Sequence, residues 1–366
     1  MIYLDNAATT KVCPAAAEAA KKAFEENYAN PASLHGAGIK AEESLEESRR
    51  TIAEAASVNT DEIYFTPSGT CSDNLAIRGF LQNKKGKTAI TTAFEHPAVL
   101  ETFKNLPEIK TVYLKPENGK ITPELLKNAI TPDTVFVSIC HINNETGAIS
   151  PLYDLAKTIK ESGSGAIFHT DDVQGFMKEQ FKYSTVDMAS FSGHKIHAPK
   201  GIGALYIKKG IQLKPIIYGG GQEKGLFSST SNVPGAAAFA AAINELRKNN
   251  ESDHVRNLCA KTKKGILEIG GNVISPEGSS PYIINAFFKG YIGENIVNYL
   301  SQKGIFIATG SACSSKHEST VYSALGLEQY KKNALRISFS GSNTETDIDI
   351  LLETLSKALT KLIRSE

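Results

Sequence analysis

Chemically useful side chains recur in this sequence directly after runs that read as β-strands. Gly69 and Thr70 follow EIYFT, His96 follows KTAITT, and Asn144 follows TVFVSIC. Asp171 and Gln174 follow GAIFHT, and Ser192, Gly193, His194 and Lys195 follow VDMASF. In an open α/β sheet such rim positions face the crevice beyond the carboxyl ends of the strands. Lys195 supplies an amine able to condense with an aldehyde, and Asp171 a carboxylate able to keep a ring nitrogen protonated. Thr70 stands where SGTCSDNLAI opens a helix, so a hydroxyl and backbone N–H groups can meet a phosphate there. Ser192 and His194 add donors, and His96 can stack on a flat ring. Aldehyde, pyridine nitrogen and phosphate together describe pyridoxal phosphate. Singly, each residue also has a plain reading as a surface lysine, a cap or a structural histidine. Joint placement after successive strands is what favours a site.

The elements that must hold these residues follow from patterning. Residues 62–66, 87–92, 110–114, 134–140 and 165–170 read as strands, extended by 186–192 and 202–207. Helical stretches such as DNLAIRGFL, PAVLETFKNL, TPELLKNAI and PLYDLAKTIKES lie between them. At 122–123 and 150–151 a Thr or Ser precedes a Pro, the pairing of N-cap and first helical residue. Such alternation implies crossover connections and a mostly parallel sheet. An Ala-rich helix over 233–248 leads out of it. After about residue 252 the rhythm changes. NVISP and YIINAFF read as a strand pair, ENIVNYLSQKG as a helix, ALRISFS as a strand and 345–364 as a final helix. The expected fold is α/β, with a large domain over 11–251 built on a mostly parallel central sheet. A smaller α+β domain is expected over 252–366, with residues 1–10 able to pack on it.

Bulk properties narrow the class. The 366 residues are 41% hydrophobic and 22% charged, the profile of an ordinary globular protein. Forty basic residues against 39 acidic ones leave a net charge of +1, no electrostatic reason to bind nucleic acid or a membrane. MIYLDNAATT lacks the basic and apolar regions of a signal peptide, and no stretch approaches the roughly 20 apolar residues of a membrane span. Five scattered cysteines without CxxC spacing suggest neither disulfides nor a metal site. A cytoplasmic enzyme is the expectation.

Several longer motifs carry a family resemblance. YLDNAATT (3–10), NPASLHGAG (30–38), EIYFTPSGTCSDNLAI (62–77), EHPAV (95–99), HINNETG (141–147) and HTDDVQ (169–174) appear in order. FSGHKIHAPKGIGALY (191–206), GGGQEKG (219–225), ATGSACSS (308–315) and ALRISFS (334–340) follow. Together the chain resembles the NifS/IscS-like cysteine desulfurases among the class V, fold-type I pyridoxal-phosphate enzymes. The resemblance implies that Lys195 is the Schiff-base lysine, Asp171 the partner of the ring nitrogen, and Gln174 a donor to the phenolic oxygen. It implies that Gly69, Thr70, Ser192, Gly193 and His194 hold the phosphate, that His96 stacks on the ring, and that Asn144 binds near the cofactor. Asn144 and Arg336 would meet the substrate carboxylate, for which an arginine fork is apt. Thr230 matches a residue that reaches the phosphate of a neighbouring subunit, which implies a homodimer with shared sites.

The reaction turns on Cys313. GSACSSKHES is made of small and polar residues, so a mobile loop with an accessible thiol is expected, whereas Cys140 ends an apolar strand and reads as core. The resemblance implies that L-cysteine displaces Lys195, that Arg336 holds its carboxylate, and that the freed lysine takes the Cα proton. The Cys313 thiolate then takes the sulfur as a persulfide, leaving alanine, with His96 relaying a proton from the substrate thiol. A sulfur-acceptor protein would receive it for iron–sulfur cluster or thio-cofactor assembly. A class V aminotransferase, a selenocysteine or cystine lyase, and a non-catalytic relative remain as alternatives. Cys71, Phe227, Ser229 and Ser340-Gly341 depart from the family pattern, and Pro67-Ser68-Gly69 differs slightly before Thr70.

Overall fold

The computed structural model describes residues 1–117, 119–310 and 320–364. The chain opens with a short strand, β1 (Ile2–Tyr3), and two helices, α1 (Pro14–Glu26) and α2 (Gly36–Ala56). In α2 the buried positions Ala41, Leu45, Ile52, Ala53 and Ala56 recur at helical spacing, and His35 caps it by accepting from the Gly38 N–H. Strands and helices then alternate: β2 (Ile63–Thr66), α3 (Gly69–Leu81), β3 (Thr88–Thr92), α4 (Pro97–Lys104) and β4 (Lys110–Leu114). Next come α5 (Pro123–Ala129), β5 (Thr134–Ser138), α6 (Leu152–Ser162), β6 (Ile167–Asp171), β7 (Met188–Ser192), β8 (Gly203–Ile207) and α7 (Val233–Asn249).

These strands form one seven-stranded sheet in the order β2-β8-β7-β6-β5-β3-β4. Every neighbouring pair is parallel except the two that β8 makes, which are antiparallel. Only the ten residues 193–202, with one 3₁₀ turn, join β7 to β8, too short a link for a parallel crossover, so β8 returns beside β7 reversed. Both faces of the sheet are buried. Ile90, Val137, Ala189 and Tyr206 join a core with Leu45, Ile52, Leu155 and Phe239. Their chain neighbours Ala89, Phe136, Met188 and Leu205 join another with Leu75, Val99 and Phe103. Successive strand residues point to opposite faces, so near-continuous apolar runs satisfy a sheet covered on both sides.

The remainder builds on α8 (Ser252–Glu268), β9 (Asn272–Val273), β10 (Ile283–Phe287), α9 (Gly293–Ser301), β11 (Ile305–Phe306), β12 (Ala308–Thr309), α10 (Thr320–Ala324), β13 (Ala334–Ser338) and α11 (Glu345–Lys361). Four strands form an antiparallel sheet in the order β12-β13-β10-β9. β1 pairs with β11 in parallel, and Ile2, Leu4 and Ala7 enter the core that Leu258, Ile284, Ile337 and Leu351 form. The N-terminal residues therefore pack with this later part of the chain. Thr122 caps α5 as expected, its Oγ1 accepting from Leu125 N at 3.2 Å. Ser150 does not cap α6: Pro151 occupies the cap position, with no side-chain cap. Proline fixes its own φ but offers no acceptor side chain, so the helix starts one residue later.

Candidate active site

Because β2, β3, β5, β6 and β7 run the same way, their carboxyl ends lie on one rim. There a cavity of about 260 Å³ is lined by Gly69, Thr70, His96, Asn144, Asp171, Gln174, Ser192, His194, Lys195 and Arg336. Ten sequence-predicted residues are thus brought together. Gly193 sits just behind the wall, where a Cβ would come within 2.9 Å of Ile202 Cγ2. Thr230 is exposed and does not line the cavity. Cys313 lies outside the described residues.

Lys195 ends a short 3₁₀ turn, Gly193–Lys195, that follows β7. Its ammonium donates to the carbonyls of Ala7 at 2.6 Å and Ala8 at 2.9 Å. Gln174 Nε2 donates to the same Ala7 oxygen at 2.9 Å. The N-terminal segment therefore forms one wall. Asp171 closes β6, and its Oδ1 accepts from Val173 N at 3.0 Å. Burial pushes its carboxyl up to about 6, against that hydrogen bond and the nearby Lys195 charge. Burial likewise pushes Glu95 up to about 8 and Asp73 well above the usual range, with Asp171 adding to both. Asp171 is thus one of three buried acids held above the usual carboxylate range.

His96 caps α4, its Nδ1 accepting from Ala98 N at 3.1 Å. Burial, with Lys195 adding, drives its pKa down to about 4, so the ring is neutral and Nε2 carries its proton. His194 is also held at about 4 by burial and by Lys195, and its Nδ1 lies 3.2 Å from Thr9 Oγ1. Arg336 reaches in from β13, its Nη2 2.9 Å from Asp5 Oδ1 and its Nη1 donating to Asn144 O at 3.1 Å.

A phosphate-sized cradle opens at the start of α3. Ser68 caps this helix by accepting from Cys71 N at 3.2 Å. Among the described residues no acceptor meets the N–H of Gly69 or Thr70. A Cβ on Gly69 would come within 2.6 Å of Val173 Cγ2 and 3.4 Å of Ser192 Cβ, so only glycine leaves this corner open. Four cavity-lining side chains also carry buried polar atoms with no hydrogen-bond partner among the described residues: Asp73 Oδ1, Gln174 Oε1, Ser192 Oγ and Arg336 Nε. Native interiors rarely tolerate several such atoms together, each costing about 1–3 kcal/mol. Their number marks a place built for a polar ligand.

Sequence reasoning missed several of these contributors. Ala7 and Ala8 act through backbone carbonyls, which have no side-chain signature, although YLDNAATT was itself a motif. Asp73 lines the cavity from α3. A closed network backs Asp171: Asp172 meets His141 Nδ1 at 2.6 Å and accepts from the Tyr183 hydroxyl. Two departures have packing reasons. Phe227 is buried in the core with Leu75 and Leu205, and Gly341 leaves room for Glu251, whose Oε2 would lie 2.0 Å from an added Cβ. Cys71 is a half-buried free thiol packed against that same core.

The aminotransferase class-V family model matches residues 2–351. A NifS/IcsS protein homolog from Lactobacillus delbrueckii is 39% identical over 95% of this chain and 94% of its own. Cysteine desulfurase IscS from Clostridium botulinum is 37% identical over 98% of this chain and 94% of its own. The solved structure of a NifS-like protein superposes with a TM-score of 0.93 at 35% identity, covering 99% of this chain and 100% of that one.

Proposed function

The chain belongs to the class-V aminotransferase family and is a cysteine desulfurase of the NifS/IscS kind; from that premise we propose a site chemistry. Pyridoxal phosphate binds at the rim of the large sheet, and sulfur passes from L-cysteine to Cys313, leaving L-alanine. One observation carries this reading: an amine, a buried carboxylate and an open helix N-terminus share one cavity with four unsatisfied buried polar atoms. When bound, the cofactor supplies an electron sink that weakens bonds to the substrate's Cα and Cβ.

Lys195 would hold the cofactor through its aldehyde, Asp171 would pair with the ring nitrogen, and the remaining N–H of the Gln174 amide would serve the phenolic oxygen. The N–H groups of Gly69 and Thr70, with the Ser192 hydroxyl and His194, take the phosphate. Arg336, already oriented by Asp5 and the Asn144 carbonyl, offers its unpartnered Nε to the substrate carboxylate. Lys195, as a free amine, would take the Cα proton at Nζ, with the Ala7 and Ala8 carbonyls fixing where that nitrogen rests. His96 is a hydrogen-bond donor. Its Nδ1 lone pair is occupied by Ala98 N–H, so Nε2 carries the hydrogen and can donate a hydrogen bond toward the substrate sulfur. The Cys313 thiolate would attack the substrate sulfur, the carbon–sulfur bond would break with its electron pair left on Cβ, and Cβ would be protonated to a methyl, Lys195 then returning to Cα the proton it had taken to give alanine.

Thr230 serves the phosphate of a second copy, and a sulfur-acceptor protein unloads Cys313. The described residues include no helix long and apolar enough to cross a membrane. Alanine and sulfide are to be measured from L-cysteine with a thiol reductant, on wild type and Cys313→Ser. Wild type should form both in equal amounts and the variant neither. Full alanine production by Cys313→Ser would overturn the nucleophile.

A further inference from the structure

β2 is an edge strand of the seven-stranded sheet, so its outer N–H and C=O groups have no neighbouring strand. Two charged side chains stand in for one. Arg49, on α2, donates from Nη1 to Ile63 O at 2.9 Å, and the Glu223 carboxylate accepts from Phe65 N at 2.8 Å. The two close on each other as a fork, Nη1 to Oε2 at 2.7 Å and Nη2 to Oε1 at 3.0 Å. Their side chains are only 10% and 8% exposed. The guanidinium also lies 4.7 Å from the Phe65 ring centroid, and Glu46 accepts from its Nε at 2.8 Å.

Glu223 belongs to a loop that could not hold this shape unaided. Glu223 and Lys224 both adopt positive φ, 49° and 55°, between Gly221 and Gly225, which are left-handed too. A residue with a Cβ enters that region at a cost, and two in succession need external support. Lys224 adds some, donating to Asp61 O at 2.7 Å over the Tyr64 ring. The loop leads, through the buried anchor Phe227, to the exposed Thr230. Asn232 then fixes the far side by capping α7.

We propose that Arg49 and Glu223 are positioning residues whose ion pair, closed over the sheet edge, holds the 219–225 loop and thereby sets Thr230 for the cofactor phosphate of a second copy. The inference rests on the reading above that Thr230 meets that phosphate. A buried fork of this kind fixes one geometry, because removing either partner leaves a buried charge unpaired.

The test is a double-mutant cycle on the reconstituted dimer, reading pyridoxal-phosphate dissociation by absorbance and dimer content by sedimentation. Glu223→Gly removes the clamp at a position whose φ suits glycine, so the backbone there is not strained. Arg49→Lys keeps a charge and loses the fork. Thr230→Ala should weaken cofactor retention about tenfold, as for one hydrogen bond to a charged group. Glu223→Gly and Arg49→Lys should each approach that loss, and Glu223→Gly in the Thr230→Ala background should add less than twofold. Wild-type retention in Glu223→Gly overturns the inference. So do losses that multiply in the double variant, the mark of a merely structural role. A silent Thr230→Ala overturns the reading of Thr230 itself and the inference with it.

Discussion

At the scale of single residues, the site is governed by which buried acids keep their protons. Asp171 is pushed up to about 6 by burial and Asp172, while Val173 N and Lys195 pull the other way. Its folded value therefore exceeds the ordinary aspartate value of 3.8. Without cofactor the folded chain retains a proton that the unfolded chain releases, so stability falls as pH rises from about 4 through 6. A protonated ring nitrogen against the carboxylate removes that penalty. Pyridoxal phosphate should then raise the melting temperature more above about pH 6 than below about pH 4. Asp171→Asn should flatten this difference, because an amide does not titrate. Calorimetry on loaded and unloaded protein checks it, and an unchanged pH profile in the variant would place the carboxylate elsewhere. That Lys195, Asp171 and His96 share one rim was legible because side-chain chemistry shows in the sequence. Asp5 was not, since its partner Arg336 lies 331 positions away.

At the scale of elements, strands could be read because buried two-faced runs such as TVFVS and MASFS are bounded by polar turns. Their directions could not all be read. A period of two residues carries no arrow, so the reversal of β8 appears only in the structure. The start of α3 shows how closely elements must meet. Gly69 is wedged against Val173, just past the end of β6, and Ser192, the last residue of β7. Gly69→Ala has to push these apart, so we expect destabilisation of about 1–3 kcal/mol. Cofactor affinity should fall at least about tenfold, because the displaced atoms also line the phosphate corner. Ser68→Ala removes only the cap and should cost about 1 kcal/mol, with a smaller effect on binding. Denaturant titration and cofactor titration on the two variants separate these effects. Equal losses of affinity would show that capping, rather than the open corner, is what matters.

At the scale of the whole molecule, the site draws on two cores at once. Lys195 and Asp171 come from the sheet side, whereas Arg336 and the Ala7–Ala8 wall come from the unit packed around Ile284 and Ile337. We place the boundary between these units at the junction of α7 and α8. One surface is unfinished in the single chain. Phe24, Tyr28 and Leu34 are 68%, 76% and 96% exposed around the link from α1 to α2, and Tyr218 is 78% exposed. The same link, through Asn30–Ala32, shares a cleft with Gly220–Lys224 and Ser231. The exposed apolar side chains thus lie beside the segment carrying Thr230, which the proposed reading sets against a second copy. Burying them would drive association. Leu34→Asp should shift the protein toward monomer in sedimentation and speed cofactor loss, because Thr230 would no longer meet its partner. Tyr153→Asp, on the exposed side of α6 and away from that cleft, should leave both unchanged. A Leu34→Asp protein that stays dimeric with undiminished cofactor retention would put the subunit contact on another face.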